Sequence, residues 1–152
     1  MPATSILEFN APASKIFDVV VDLQGYATWL PTSPSFPGIT SISEGHVQLG
    51  TTYVESTPSG IRHGKVIEFS RPEKVVFHQP MQLYNVKEGV LVDIKVEVLF
   101  REKSEGVTEV ERNVYLGFPE EVKDLKEIFE KGAGGEGARV MQELKERVES
   151  LP

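Results

Sequence analysis

Two long runs of strict alternation between Val90 and Phe118 restrict the fold of this chain more than any other feature. In the first, Val90, Val92, Ile94, Val96, Val98 and Phe100 alternate with Leu91, Asp93, Lys95, Glu97, Leu99 and Arg101. In the second, Val110, Val114, Leu116 and Phe118 alternate with Glu109, Glu111, Asn113, Tyr115 and Gly117. Successive side chains of a strand point to opposite faces, so each run has one side for a core and one for water. A hairpin centred on Ser104 sets Val98 opposite Val110, Ile94 opposite Val114 and Val92 opposite Leu116, and the two apolar faces coincide. Arg112 falls among the apolar residues, opposite Val96.

A guanidinium stays protonated in proteins. Burying it unpaired forfeits its hydration and leaves a rigid set of donors without acceptors. Glu97 and Glu111 point outward, so a partner has to come from a helix, another strand, water or a bound molecule. Three arrangements meet this need. Arg112 can line a solvated pocket and donate to a ligand carbonyl, phenolate or carboxylate. It can pair with a helix carboxylate such as Glu143, or a bulge can turn it outward.

Upstream, residues 4–9 read as a first strand, and Pro12 suits the first turn of a helix, where an amide hydrogen would have no partner. Ile16, Phe17, Val20 and Leu23 recur at helical spacing over residues 13–23, and Gly25 ends that helix. An aromatic stretch runs from Gly25 to Pro31, and Pro34, Pro37 and Gly38 predict a surface loop. From Ile39 to Phe118, turn residues at 43–45, 58–60, 70–73, 84–89 and 102–106 separate consecutive strands, and such short connections imply an antiparallel meander. After Pro119, Val122, Leu125, Ile128 and Phe129 form one apolar stripe, and Val140, Met141, Leu144, Val148 and Leu151 form another. The glycines of KGAGGEGA between them predict a hinge or C-cap joining two helices, a hinge that could gate a cavity. GAGGEG also satisfies G-x-G-x-x-G, but a dinucleotide fingerprint needs a strand before it, and here a helical pattern precedes it.

With 152 residues, 39% hydrophobic and 26% charged, the composition suits one globular domain over residues 1–152. A net charge of −7 with no basic stripe argues against nucleic acid as a partner. The chain has no cysteine, which excludes a disulfide framework, a thiolate metal site and a cysteine nucleophile. Its three histidines lack the spacing of metal motifs, so neither a metal nor another cofactor is expected. No nucleophile elbow or phosphate loop is present either. With no start like a signal peptide and no long apolar run, the expectation is a cytoplasmic protein without membrane insertion.

The element order, a strand, a helix pair, six strands and a long terminal helical region, carries a family resemblance together with three segments. These are NAPASKIFDVVVDLQGYATWLP, GKVIEFSRPEKVVF and TEVERNVYLGFP. Over nearly its whole length the chain resembles the SRPBCC or START-like helix-grip superfamily, with its pollen-allergen-like fold, and within it the polyketide cyclase/dehydrase-like proteins. The resemblance implies an α+β fold: a bent antiparallel sheet of about seven strands wraps a long C-terminal helix around an internal cavity. It implies as partner a small hydrophobic or aromatic, oxygenated molecule, lipid- or polyketide-like, bound by a carrier or sensor. The alternative is an enzyme of the cyclase or dehydratase type. There Arg112 would stabilise enolate charge and His63 or Tyr53 would move the proton. A third reading, a non-catalytic interaction module, requires a collapsed cavity. The three segments identify a fold rather than a reaction, and the oligomeric state stays open.

Ligand contacts are expected from Arg112 and the facing Val96, from Phe77 and Gln79 on one strand, and from Met141 and Leu144 on the terminal helix. Gln79 can both donate and accept, although a strand-edge amide bonded to backbone fits it equally. Trp29 suits either a pocket rim or a core anchor. Tyr53 and Tyr84 can offer phenolic protons, although strand aromatics generally pack. A three-residue loop at residues 58–60 sets Glu55 opposite His63 as an acid-oriented imidazole, whereas a two-residue turn breaks that pairing. Ile61, Ile67 and Phe69 argue for His63 inward. A loop at residues 70–73 that pairs Val66 with Phe77 turns it outward, and an exposed Glu55–His63 pair is the preferred reading. His46 is expected on the surface.

Overall fold

The computed structural model describes residues 2–33, 36 and 38–152. Pro34 and Pro37, expected in a surface loop, lie outside the described residues. Strand β1 (Ala3–Phe9) leads into helix α1 (Ala13–Val21). Pro12 stands at the N-cap, and its carbonyl accepts from the amides of Lys15 and Ile16. A 3-10 turn over Leu23–Thr28 follows, in place of a last helical turn before Gly25. Then come β2 (Ile39–Ile42), β3 (Thr52–Ser56), β4 (Gly60–Ser70), β5 (Lys74–His78), β6 (Met81–Leu83), β7 (Leu91–Ser104) and β8 (Val107–Gly117). A second 3-10 turn, Glu120–Leu125, precedes the 25-residue helix α2 (Lys126–Ser150).

These strands form one antiparallel sheet in the order β1-β8-β7-β5-β4-β3-β2, with β6 pairing β4 and β7. The fold is the expected α+β helix grip, with eight strands rather than about seven. β5 and β6 share a lane between β4 and β7, and Pro80, which has no N–H to donate, interrupts it. Helix α2 packs against β1, β8 and α1.

The β7–β8 hairpin corrects the expected register. Ser104 pairs with Val107 around the tight turn Glu105–Gly106, where Gly106 takes a φ of +74°, and the ladder shifts at Lys103. Arg112 therefore stands opposite Val98, not Val96, and Val96 pairs with Val114. The slide is by an even number of residues, so each side chain keeps its face.

The expected break in the terminal helix is absent: α2 runs unbroken through GAGGEG. Each glycine weakens a helix interior by about 1 kcal/mol relative to alanine, so packing must compensate. Gly137 is buried, and a β-carbon built there would stand 2.6 Å from Ser5 Oγ, so this glycine permits close approach of helix and sheet. Outside the segment, Phe129 meets Phe118 edge-on at 5.6 Å and Arg139 ties the helix to the loop after Leu30.

One end of the grip is solid. Phe9, Ile16, Phe17, Val110 and Val148 are fully buried, and Phe17 meets Phe69 and Phe100 edge-on at 5.2 and 5.3 Å. The other end is hollow.

Candidate functional site

A cavity of about 440 Å³ lies between α2, the 3-10 turn after α1 and the inner face of the sheet. Its lining is mostly apolar. Phe77, Val96, Met141 and Leu144, all buried, contribute to it together with Ile94 and Val98. Trp29 is half-buried on the wall, with its ring 5.1 Å from that of Tyr26. Ile128 is 70% exposed yet belongs to the lining, and so marks where the cavity meets the surface.

Tyr53, Glu55, Gln79 and Arg112 also line the cavity. The structure thus brings these four together with Trp29, Phe77, Val96, Met141 and Leu144, and leaves His63 and Tyr84 out of the lining. His63 is exposed on β4, and its strand partner is Val54. The expected Glu55–His63 pair does not form. The turn after β3 is the two-residue alternative, Pro58–Ser59, closed by Thr57 N–H donating to Gly60 O at 2.8 Å. That turn sets Glu55 opposite Arg62. Ile67 and Phe69 do not hold His63 inward, because β4 bulges at Ile67: Val66 pairs with Phe77, but Glu68 pairs with Val76. Beyond a bulge the inward parity reverses, so Phe69 says nothing about the facing of residue 63.

Arg112 is enclosed by protein but keeps accessible surface, and it lines the cavity. It forms no hydrogen bond or ion pair among the described residues, so the expected alternative of a bridge to Glu143 is not realised. Burial lowers its pKa, opposed by Tyr26, Glu136 and Glu55. It remains a cation, because arginine starts so far above neutrality.

Further polar groups in the lining, beyond those expected from the sequence, include Arg62, Glu136 and Tyr26. Arg62 is buried and donates from Nη2 to Glu55 Oε2 at 3.3 Å. A two-residue turn at Pro58–Ser59 would have revealed this pair, since oppositely charged residues then face each other on one sheet face. Glu136 on α2 accepts from Arg139 Nε at 2.6 Å and from Ser33 Oγ at 3.1 Å. Arg139 also donates to Pro31 O at 2.7 Å, fastening α2 to the loop. No local signal placed Glu136 inward, because the loop that receives it is distant in sequence. Tyr26 donates to Val20 O, and burial pushes its pKa up.

Burial likewise raises the pKa of Glu55 above its ordinary value, against the opposing pull of Arg62. Tyr53 is raised by burial and by Glu55. Its hydroxyl donates to Gln79 Oε1 at 2.6 Å, and its ring lies over Gly64, where a β-carbon would come within 2.1 Å of Cζ. Tyr84 and His46 are exposed, and the half-buried His78 contacts Asp93 at 2.6 Å. Among the described residues there is no cluster of three or more His, Asp or Glu side chains able to hold a metal. No helix among them is long and apolar enough to cross a membrane.

An antiparallel sheet gripping a long C-terminal helix around a largely apolar cavity defines a helix-grip protein. Solved structures bear this out, and SRPBCC-type proteins are among the neighbours. Protein MLL2253 from Mesorhizobium loti is similar over 98% of both chains, with a TM-score of 0.69 and 12% identity. A norcoclaurine synthase point mutant from Thalictrum flavum, in complex with a transition-state analogue, is similar over 97% of this chain and 96% of its own, with a TM-score of 0.69 and 14% identity. The Aha1 dimer from Colwellia psychrerythraea is similar over 99% of this chain and 97% of its own, with a TM-score of 0.64 and 18% identity. No protein-family model and no curated protein sequence matches the chain. At these identities the likeness establishes the fold alone.

Proposed function

We propose that this protein binds a small, largely apolar, oxygen-bearing organic molecule in the cavity beneath α2, as a carrier or sensor. The observation that carries the reading is a 440 Å³ cavity with an apolar wall into which Arg112 brings a guanidinium with no ion pair or hydrogen bond among the described residues. Cavities of this volume suit metabolite-sized ligands, and a few polar groups in an apolar wall set their orientation. Norcoclaurine synthase, with its transition-state analogue, supports the capacity of the fold for small molecules. The interaction-module reading has less support, since it requires a collapsed cavity.

One observation favours turnover as a second reading. Glu55 is buried in the lining, and burial raises its pKa above the ordinary carboxylate value, the direction of shift that general acid–base chemistry uses. The cyclase or dehydratase alternative then draws its proton from Glu55 or Tyr53, with His63 outside the cavity.

Native mass spectrometry of freshly purified protein tests the binding reading. A co-purifying organic molecule lost from a variant with the cavity filled, Leu144→Trp, is the expected result. Failure to retain any of a broad set of apolar oxygenated molecules would count against it. Product formation by wild type and not by Glu55→Gln or Tyr53→Phe would favour turnover.

A further inference from the structure

We infer that the cavity ligand is an organic monoanion, a carboxylate or an acid of like charge on an apolar or aromatic body, with its charged oxygens seated on Arg112. The inference rests on the small-molecule reading above and adds a charge and an anchoring point to it.

Four ionised side chains stand in the described lining: Glu55, Arg62, Arg112 and Glu136. Glu55 and Arg62 are paired at 3.3 Å. Glu136 is paired with Arg139, which is outside the lining, at 2.6 Å, and takes a further bond from Ser33. Each carboxylate therefore has its own cation. With Arg139 counted beside the lining, the set carries one net positive charge, and Arg112 is the cation with no ion pair among the described residues, in the longer-range fields of Glu136 and Glu55.

In an apolar surround that charge interacts strongly with whatever enters. A cationic ligand would be repelled. A neutral ketone or alcohol could accept a hydrogen bond but would leave the charge unbalanced. A single anion neutralises it, and the planar guanidinium fork suits two oxygens on one centre. The second polar station points the same way. Tyr53 spends its hydroxyl hydrogen on Gln79 Oε1, while the amide nitrogen of Gln79 has no acceptor among the described residues. Both stations offer hydrogens, so the ligand supplies oxygens to both.

The test uses two fluorescent dyes of nearly the same aromatic body, the anionic anilinonaphthalene sulfonate and the neutral N-phenylnaphthylamine. Wild type is expected to bind the sulfonate at least about tenfold more tightly, the scale of one charge-assisted hydrogen bond. Arg112→Leu should remove that preference and still bind the neutral dye, which also reports that the cavity has folded. Arg112→Gln serves if the leucine variant does not fold. Leu144→Trp, which fills the cavity, should expel both dyes. Equal affinity of wild type for the two dyes overturns the monoanion inference and leaves the small-molecule reading standing. So does a sulfonate preference that survives in Arg112→Gln, or sulfonate binding that survives in Leu144→Trp. Binding of neither dye by wild type overturns the small-molecule reading itself.

Discussion

Gly137, in the middle of α2, lies against Arg112 of β8: a β-carbon at position 137 would stand 3.4 Å from Arg112 Nη1 and 2.6 Å from Ser5 Oγ. The absence of a side chain there lets the helix settle onto the strand that carries Arg112 into the cavity. Gly134, one turn earlier, has open space where its β-carbon would be. The two glycines should respond oppositely to the same substitution. Gly134→Ala is expected to raise stability by up to about 1 kcal/mol through helix propensity alone. Gly137→Ala should bring no gain, or a loss, because Ser5 and Arg112 must shift. Urea denaturation of the two variants measures the difference.

Glu55 and Arg62 form a buried pair, so removing Arg62 leaves the Glu55 carboxylate without its cation. Arg62→Met and Glu55→Leu should each cost about 3 kcal/mol, and the double variant less than the sum, because it leaves no charge behind. A double-mutant cycle by chemical denaturation gives the coupling. Additive losses would mean that the two groups do not depend on each other.

The raised pKa of Glu55 makes stability depend on pH in a definite direction. A carboxyl with a folded pKa above its unfolded value binds more protons in the folded state between the two. Stability therefore falls as pH rises from the ordinary value of 4.5 through the folded one. Glu55→Gln should flatten that portion of the profile, read from urea midpoints between about pH 4 and pH 8. A wild-type profile that rises across the same window would contradict the direction assigned to Glu55.

Tyr53 and Gly64 are strand partners, and the ring occupies the space above the glycine. Gly64→Ala should destabilise by about 3 kcal/mol through overpacking, and most of that cost should vanish in a Tyr53→Ala background, where the ring is gone. Tyr53→Phe keeps the packing but leaves Gln79 Oε1 without its donor, at about 1 to 2 kcal/mol. Thermal melts of the four proteins separate packing from hydrogen bonding.

Much of the fold is legible in local pattern. Val92 to Phe100 and Val110 to Phe118 declare a hairpin with one apolar face, and Pro12 announces α1. The inward side of Arg112 follows from parity alone, and parity survives the even slide that replaces Val96 by Val98 as its partner. Gln79, Phe77 and Tyr53 reach the cavity for the same reason. Legibility ends where a turn length or a bulge sets the register. The two-residue turn at Pro58–Ser59 and the bulge at Ile67 decide that Arg62 faces Glu55 and that His63 faces outward. Either feature moves by one residue at little local cost, yet a one-residue change exchanges the two faces of the strand.

The chain's own periodicities thus determine which residues share a strand face or helix stripe, because side-chain direction follows from backbone geometry within a few residues. Where the charges end up is settled by turn length and packing. Glu136 meets Arg139 one turn along its own helix, but Ser33 reaches it only from the loop after Trp29, and Glu55 finds Arg62 across a turn. Packing also carries the helix through GAGGEG, where propensity predicts an end, because close contact of Gly137 with β1 and β8 outweighs the backbone entropy that glycine must lose. That sum of pairings leaves Arg112 without an ion pair among the described residues, a property of the whole fold that no short stretch of sequence contains.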